Sequence, residues 1–246
     1  MYDKTGGHMR KTDSQTIHDV VLRFQQTRFP HAMLVLLTGS WATNSAYDDS
    51  DIDLFILDPT RPDVLFEGVP FESFLFDVCA VSPDQANALF QCSIPFRSGP
   101  IIHQLMRHHL IVGTSKDAAA IVELARTVIA TGPAELPPEE RDELRWQLST
   151  QLVELRHVAP HELPALSAQC YCLLAKALLA VNRQWQGEGK SLHRLLVLAF
   201  PELTERLDTA LVTACSGNPV PLLELGNELL QQMGGSLRTY RETHKL

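Results

Sequence analysis

Apolar residues follow two different spacings along the chain. The spacing changes at about residue 112, and this change divides the chain into two halves. Before about residue 112, short apolar runs occupy 33–37, 51–57 and 74–81, and each run ends at a Gly, Asp-Pro or Ser-Pro turn signal. Short runs bounded in this way are typical of buried strands. After Gly113, apolar residues recur three and four positions apart, and no further strand pattern follows. That spacing predicts helices.

The first half also contains helical patterns. One helix is predicted from Asp13 to Arg28, because its apolar residues fall on one face: Ile17, Val20, Val21 and Phe24. Further helices are predicted to begin over 82–89 and to cover 101–110. Between the second and third strands, we expect Arg61 to Pro70 to form a hairpin turn with Gly68 as its pivot.

The second half predicts a bundle of about five helices. Its helical patterns cover 115–130, 137–157, 162–184, 190–200, 202–215 and 221–233, and Gly or Pro separates most of them. The expected fold class is therefore α+β, with a small mixed sheet in an N-terminal domain over 10–113 and an all-α helical bundle over 114–246.

Composition and charge narrow the classes of function. The chain carries 21 basic and 29 acidic residues, and its formal net charge is −8. That balance disfavours long nucleic acid as a partner, because non-specific binding depends on Lys and Arg neutralising phosphates. Five cysteines without metal-binding spacing suggest reduced thiols in a cytoplasmic protein. No apolar stretch was expected to approach the ~20 residues that span a bilayer, so no membrane partner is predicted.

Two carboxylates lie close together at the second predicted strand. Asp51 and Asp53 are two positions apart, so both side chains leave the same face of a strand. Adjacent carboxylates repel each other unless a cation lies between them, and ligands that are all oxygen favour Mg²⁺ or Mn²⁺. The alternative is an edge strand with two solvated acids near a turn.

A Gly-Ser pair follows the first predicted strand. Gly39 permits a tight turn and close approach of the backbone, and Ser40 can donate its hydroxyl to a phosphate oxygen. By itself Gly-Ser is an ordinary turn, so its significance lies in the combination with the two aspartates.

A third acid interrupts the apolar strand at 74–81. A buried unpaired carboxylate at Asp77 would cost several kcal/mol, and a shared cation would remove that cost. The alternatives are a salt bridge from Asp77 to a basic residue, or Glu72 as the third acid. Together with Gly39 and Ser40, three carboxylates on neighbouring strands predict a two-metal phosphoryl-transfer site in which Asp77 ligates metal or accepts a hydroxyl proton.

The segment from Leu37 to Ile56 (LTGSWATNSAYDDSDIDLFI) resembles the signature of the DNA polymerase beta-like nucleotidyltransferase superfamily: Gly-Ser, about ten residues, then Asp-x-Asp. By this resemblance, Gly39 and Ser40 bind the triphosphate, Asp51 and Asp53 hold metal, and Asp77 is the third acid. The N-terminal half is then expected to be nucleotidyltransferase-like. Asn44 stands where many members have a Gly, and Asn tolerates the left-handed conformation.

The helical half resembles, more loosely, the C-terminal domain of bacterial aminoglycoside adenylyltransferases. The resemblance rests on Leu179 to Lys190 (LAVNRQWQGEGK), which is similar to an Arg-x-Trp then Gly-Lys segment of those enzymes. It implies that Arg183 and Lys190 bind the triphosphate. The alternative is that both are ordinary cations at helix ends.

These resemblances imply an Mg²⁺-dependent nucleotidyltransferase that moves a nucleoside monophosphate, AMP from ATP by family default, onto a hydroxyl. The expected acceptor is a small molecule such as an aminoglycoside-like compound. The alternatives are a protein acceptor, as in nucleotidyltransferase antitoxins that modify a partner toxin, and a non-catalytic nucleotide-binding module. The sequence leaves the oligomeric state open.

Overall fold

The structure is a computed structural model, and it describes residues 14–47 and 49–239. The chain divides into two compact units. The first contains the chain up to Ile94 together with Gly99–Thr131, and the second contains Pro95–Ser98 together with the chain from Gly132 onward. The chain therefore enters the second unit briefly, returns to the first, and leaves it again after Thr131.

The first unit combines a mixed sheet with helices, so the predicted α+β class is confirmed. The strands are β1 (Leu34–Leu37), β2 (Ile52–Leu57), β3 (Leu65–Phe71), β4 (Phe74–Val81) and β5 (His109–Val112). Its helices are α1 (Ser14–Arg28), α2 (Gly39–Ala42), α3 (Pro83–Gln91), α5 (Pro100–Gln104) and α6 (Ser115–Thr131), and α4 (Ser93–Phe96) begins in the first unit and ends in the second. Asp13, the predicted start of α1, lies outside the described residues.

The sheet order is β3-β4-β2-β1-β5, and only the central pair β2–β4 is parallel among these strands. Alternate residues of each strand face α1 on one side of the sheet. There the ring of Phe24 stacks on that of Phe76, with centroids 4.1 Å apart. On the opposite side, Phe55 packs against Phe90 of α3, with centroids 5.7 Å apart. That side of the sheet also carries the candidate site.

The second unit is built on five helices of the described chain: α7 (Pro138–His157), α8 (Leu163–Val181), α9 (Lys190–Ala199), α10 (Pro201–Cys215) and α11 (Val220–Gln232). Each lies within about three residues of a predicted helix. α8 is long and apolar enough to cross a membrane by length and composition alone. The expectation that no stretch approaches such a length was therefore wrong for α8, but this helix contributes buried residues throughout the core of its unit.

The predicted hairpin turn at Arg61 to Pro70 is wrong. Leu65–Phe71 forms β3, and Gly68 lies in the middle of that strand, opposite Asp77. The chain turns instead after Phe71, where Glu72 has a left-handed φ of 52°. β3 tolerates both Gly68 and Pro70 because it is the last strand of the sheet, where a proline need not donate to a neighbour.

The predicted helix over 101–110 is only partly present. α5 ends at Gln104, and His109–Val112 forms β5 beside β1. The apolar run at 110–112 suits a strand, and its pairing with β1 makes it a strand and not a helix.

The domain boundary between 113 and 114 stays a prediction. By its packing, α6 groups with the first unit.

Candidate active site

Three aspartates converge on the open side of the sheet. Asp51, Asp53 and Asp77 each offer a carboxylate oxygen, and these oxygens lie within 4.8 Å of one another. The strand register explains the convergence, because Asp53 lies directly opposite Asp77 in the parallel β2–β4 pair. Asp51 precedes β2 by one residue, and its side chain leaves the same side of the sheet as that of Asp53. The clustering is what the sequence predicted; the role of these residues as metal ligands stays a prediction.

Charge repulsion and partial burial act together on these carboxyls. The pKa of Asp53 is raised to about 6, chiefly by burial and then by the charges of Asp51 and Asp77. A hydrogen bond from Gln104 Nε2 to Asp53 Oδ1, 3.2 Å long, opposes that rise. The pKa of Asp77 is also raised, by burial and by Asp51. A group of carboxyls that resist ionisation together favours a bound cation.

Gly39 brings the backbone onto the carboxylate of Asp53. Its φ is +63°, and a Cβ built on it would lie 1.8 Å from Asp53 Oδ2. The neighbouring Thr38 N–H donates to the carbonyl oxygen of Asp53 at 2.9 Å, which fixes the end of β1 against β2. Only a residue without a side chain fits this position, and glycine also adopts the left-handed φ without strain.

Ser40 presents a hydroxyl that nothing around it satisfies. Its Oγ is buried and has no hydrogen-bond partner among the described residues. A buried hydroxyl without a partner costs free energy, so a hydroxyl in this position favours a ligand oxygen that accepts its hydrogen bond. Ser40 lies in α2, the short helical turn that follows β1. The sequence signal for Ser40 was its position after Gly39, and the structure adds the unpaired oxygen.

The segment between Ser40 and Asp51 is held by local contacts. Trp41 donates its indole N–H to the carbonyl oxygen of Ser50 at 3.3 Å. Asn44 has a φ of 54°, the left-handed conformation that was expected to be tolerable for Asn at this position. These contacts set the distance in space between the Gly-Ser pair and the two aspartates.

Glu72, the alternative third acid, has a different partner. Both of its carboxylate oxygens accept from Arg23, at 2.7 and 2.9 Å, on the exposed surface of the first unit.

Gln104 is the residue near the site that the sequence did not reveal. It reaches Asp53 from α5, 51 positions further along the chain, and no spacing pattern connects the two.

Arg183 and Lys190 lie in the second unit and are exposed. Arg183 Nε donates to the carbonyl oxygen of Pro133 at 3.2 Å, and its Nη1 lies 3.8 Å from Glu135 Oε1. Lys190 is the first residue of α9. Their assignment as triphosphate ligands stays a prediction.

Comparison with known proteins gives no family. No family model matches the chain, and no curated protein matches it. Among solved structures, it is similar to a nucleotidyltransferase-like protein from Exiguobacterium sibiricum 255-15, at 10% identity and a TM-score of 0.43 over 88% of this chain and 75% of that one. It is also similar to a toxin–antitoxin structure with AMP-PNP, at 16% identity and a TM-score of 0.29, over 46% of this chain and 87% of that one. A mutant of the toxin–antitoxin MntA–HpeT gives 15% identity over the same shares, also with a TM-score of 0.29. These likenesses do not assign the chain to a family.

Proposed function

We propose that this protein is a nucleotidyltransferase that moves a nucleoside monophosphate, with ATP as donor, onto a hydroxyl group. The observation that carries the proposal is the convergence of three carboxylates within 4.8 Å beside a Gly-Ser turn. The same residues carry the sequence resemblance to the DNA polymerase beta-like superfamily.

The donor set fits a divalent cation. Asp51, Asp53 and Asp77 offer oxygen ligands only, as Mg²⁺ and Mn²⁺ prefer, and the cluster is partly open to solvent. These three residues would hold the metal. When bound, it would neutralise charge on the triphosphate and lower the pKa of the attacking hydroxyl.

The protein's own groups position the reactants. The unpaired Ser40 Oγ would donate to a phosphate oxygen, and the absent side chain at Gly39 leaves room for the carboxylate of Asp53 beside the turn. The exposed carboxylate of Asp77, whose pKa is raised, would accept the proton of the acceptor hydroxyl. The acceptor oxygen then forms a bond to the α-phosphorus, the bond to the bridging oxygen breaks, and pyrophosphate leaves with its electron pair. Arg183 and Lys190 are proposed to bind the triphosphate.

The acceptor that we propose first is a small molecule. A positively charged acceptor would be attracted to this chain, because the chain is acidic. A protein acceptor is the second candidate, and one surface feature favours it. Beside Asp77, on the same face of the sheet, Phe66 and Leu75 are 62% and 54% exposed. Exposed apolar side chains around a reacting group suit the surface of a protein partner.

Transfer is tested with ATP labelled at the α-phosphate, Mg²⁺, and either a panel of hydroxylated amines or a cell lysate. Label on a small molecule supports the first acceptor class, and label on a protein band supports the second. Asp51→Asn should abolish labelling, whereas Asp63→Asn, which removes an exposed acid elsewhere in the first unit, should not. Failure to bind ATP, or equal labelling by both variants, would overturn the proposal.

A further inference from the structure

The helical unit contains a cavity that the proposed transfer does not use. Its volume is about 660 Å³, within the range of small-molecule pockets, and residues of α7 and α8 form most of its lining. All of its lining residues belong to the second unit.

One wall of the cavity is a polar stripe along α7. Glu143, Gln147, Thr150 and Glu154 follow one another at spacings of four, three and four residues, which places them on one face of the helix. The stripe has a carboxylate at each end. The two acids are eleven positions apart, which corresponds to ~16 Å along the helix axis at 1.5 Å per residue.

The cations that line the cavity are already paired. Arg97 forms an ion pair with Glu140, and Lys176 Nζ lies 2.7 Å from Glu188 Oε1, an acid outside the lining. Glu143 accepts a hydrogen bond from the amide of Gln147 at 2.9 Å. Within residues 14–47 and 49–239, neither Glu143 nor Glu154 forms an ion pair. Two carboxylates facing the cavity are therefore left without a counter-charge.

An aromatic ring borders the same stripe. Trp146 lines the cavity and is 36% exposed, whereas the other two tryptophans, Trp41 and Trp185, are 9% and 8% exposed. An indole face attracts ammonium groups and also packs against carbon chains or sugar rings. The cavity thus combines two separated negative charges, hydrogen-bonding groups between them, and an aromatic surface.

We propose that this cavity binds an extended organic polycation, with one ammonium group at Glu143 and another at Glu154. The chemistry is that of a linear polyamine, whose terminal ammonium groups lie far apart on a flexible carbon chain. Binding does not require nucleotide or transfer, so the proposal goes beyond the proposed function and is tested without ATP.

The test titrates the full chain with spermine, whose terminal ammonium groups can span the two acids, at physiological salt. Calorimetry gives affinity, and tryptophan fluorescence reports on the cavity because Trp146 is the most exposed indole. Putrescine, with its two ammonium groups only four carbons apart, should bind at least about tenfold more weakly, since it reaches one acid at a time. Kanamycin, a cationic multi-ring amino sugar, is the comparison ligand: tighter binding of kanamycin than of spermine would overturn the assignment to a linear polyamine.

The matched variants separate a site from general attraction to an acidic protein. Glu143→Gln with Glu154→Gln should raise the Kd for spermine by about tenfold or more. Glu205→Gln with Glu224→Gln removes the same charge from exposed positions on α10 and α11, and should leave the Kd unchanged. Trp146→Phe should lose the fluorescence response. Equal effects of the two double variants, or no binding of spermine to a wild-type chain with an intact thermal transition, would overturn the proposal.

Discussion

The Cα of Gly39 lies so close to the carboxylate of Asp53 that a Cβ would stand 1.8 Å from its Oδ2. Gly39→Ala should therefore displace Asp53 from the cluster and lower transfer by about a hundredfold or more, as small misplacements of reacting groups do. The left-handed φ should also lower the free energy of unfolding of the variant by about 1–2 kcal/mol. Initial rates and thermal melts measure the two effects.

Gly68→Ala is the matched control for this variant. A Cβ at Gly68 meets nothing within 4 Å, although the residue lies opposite Asp77 on the neighbouring strand. This variant should keep wild-type transfer. If both glycine variants lost activity equally, close approach at residue 39 would not be the cause.

The raised pKa of Asp53 predicts how stability changes with pH in the absence of metal. Between its ordinary value of 3.8 and its folded value of about 6, the folded protein holds a proton that the unfolded chain releases. The free energy of unfolding should therefore fall as pH rises through that window, and stay lower above it. At pH 7.5 in EDTA, Asp53→Asn should have a free energy of unfolding about 1–2 kcal/mol above that of wild type, after allowance for solvent screening, and should melt at a higher temperature. The difference in free energy of unfolding between variant and wild type should vanish below pH 3.8. A variant less stable than wild type at neutral pH would contradict this prediction.

A divalent cation should reverse that electrostatic cost. Mg²⁺ or Mn²⁺ bound only by the folded protein should stabilise wild type by about 2.7 kcal/mol at a concentration one hundred times the Kd. Asp51→Asn should abolish most of the shift, because it removes one of the three converging carboxylates. Asp63→Asn should retain it. Melts with metal and then with excess EDTA measure the gain and its loss.

Ser40→Ala separates a ligand-binding hydroxyl from a structural one. Because Ser40 Oγ has no hydrogen-bond partner in the described structure, its removal should leave the melting temperature unchanged or slightly raised. Transfer should fall by about tenfold, the value of a hydrogen bond to a charged group. Ser167→Ala also removes a buried hydroxyl that has no partner among the described residues, on α8 of the second unit, and should leave transfer intact.

The clustering of the three aspartates was easier to predict than the strands around them. Asp77 was detectable because a carboxylate interrupted an apolar run, and strand alternation placed Asp51 and Asp53 on one face. β3 was missed because Gly68 and Pro70 are turn residues in isolation, and only its place at the sheet edge makes them acceptable. The contact between Gln104 and Asp53 depends on how α5 packs, which no local pattern records. The helices of the second unit were predictable because their periodicity is regular and Pro or Gly separates them.

The assignment of Pro95–Ser98 to the second unit means that the two units are not consecutive in the chain. Arg97 in this segment accepts a hydrogen bond from the N–H of Gln186 at 2.7 Å through its carbonyl oxygen, and its side chain pairs with Glu140. A fragment ending at residue 131 would keep Arg97 and lose both partners, and a fragment starting at 132 would lack the segment that they hold. No single cut therefore yields both units intact. Either half expressed alone should lack the contacts that Arg97 makes with Gln186 and Glu140 in the full chain.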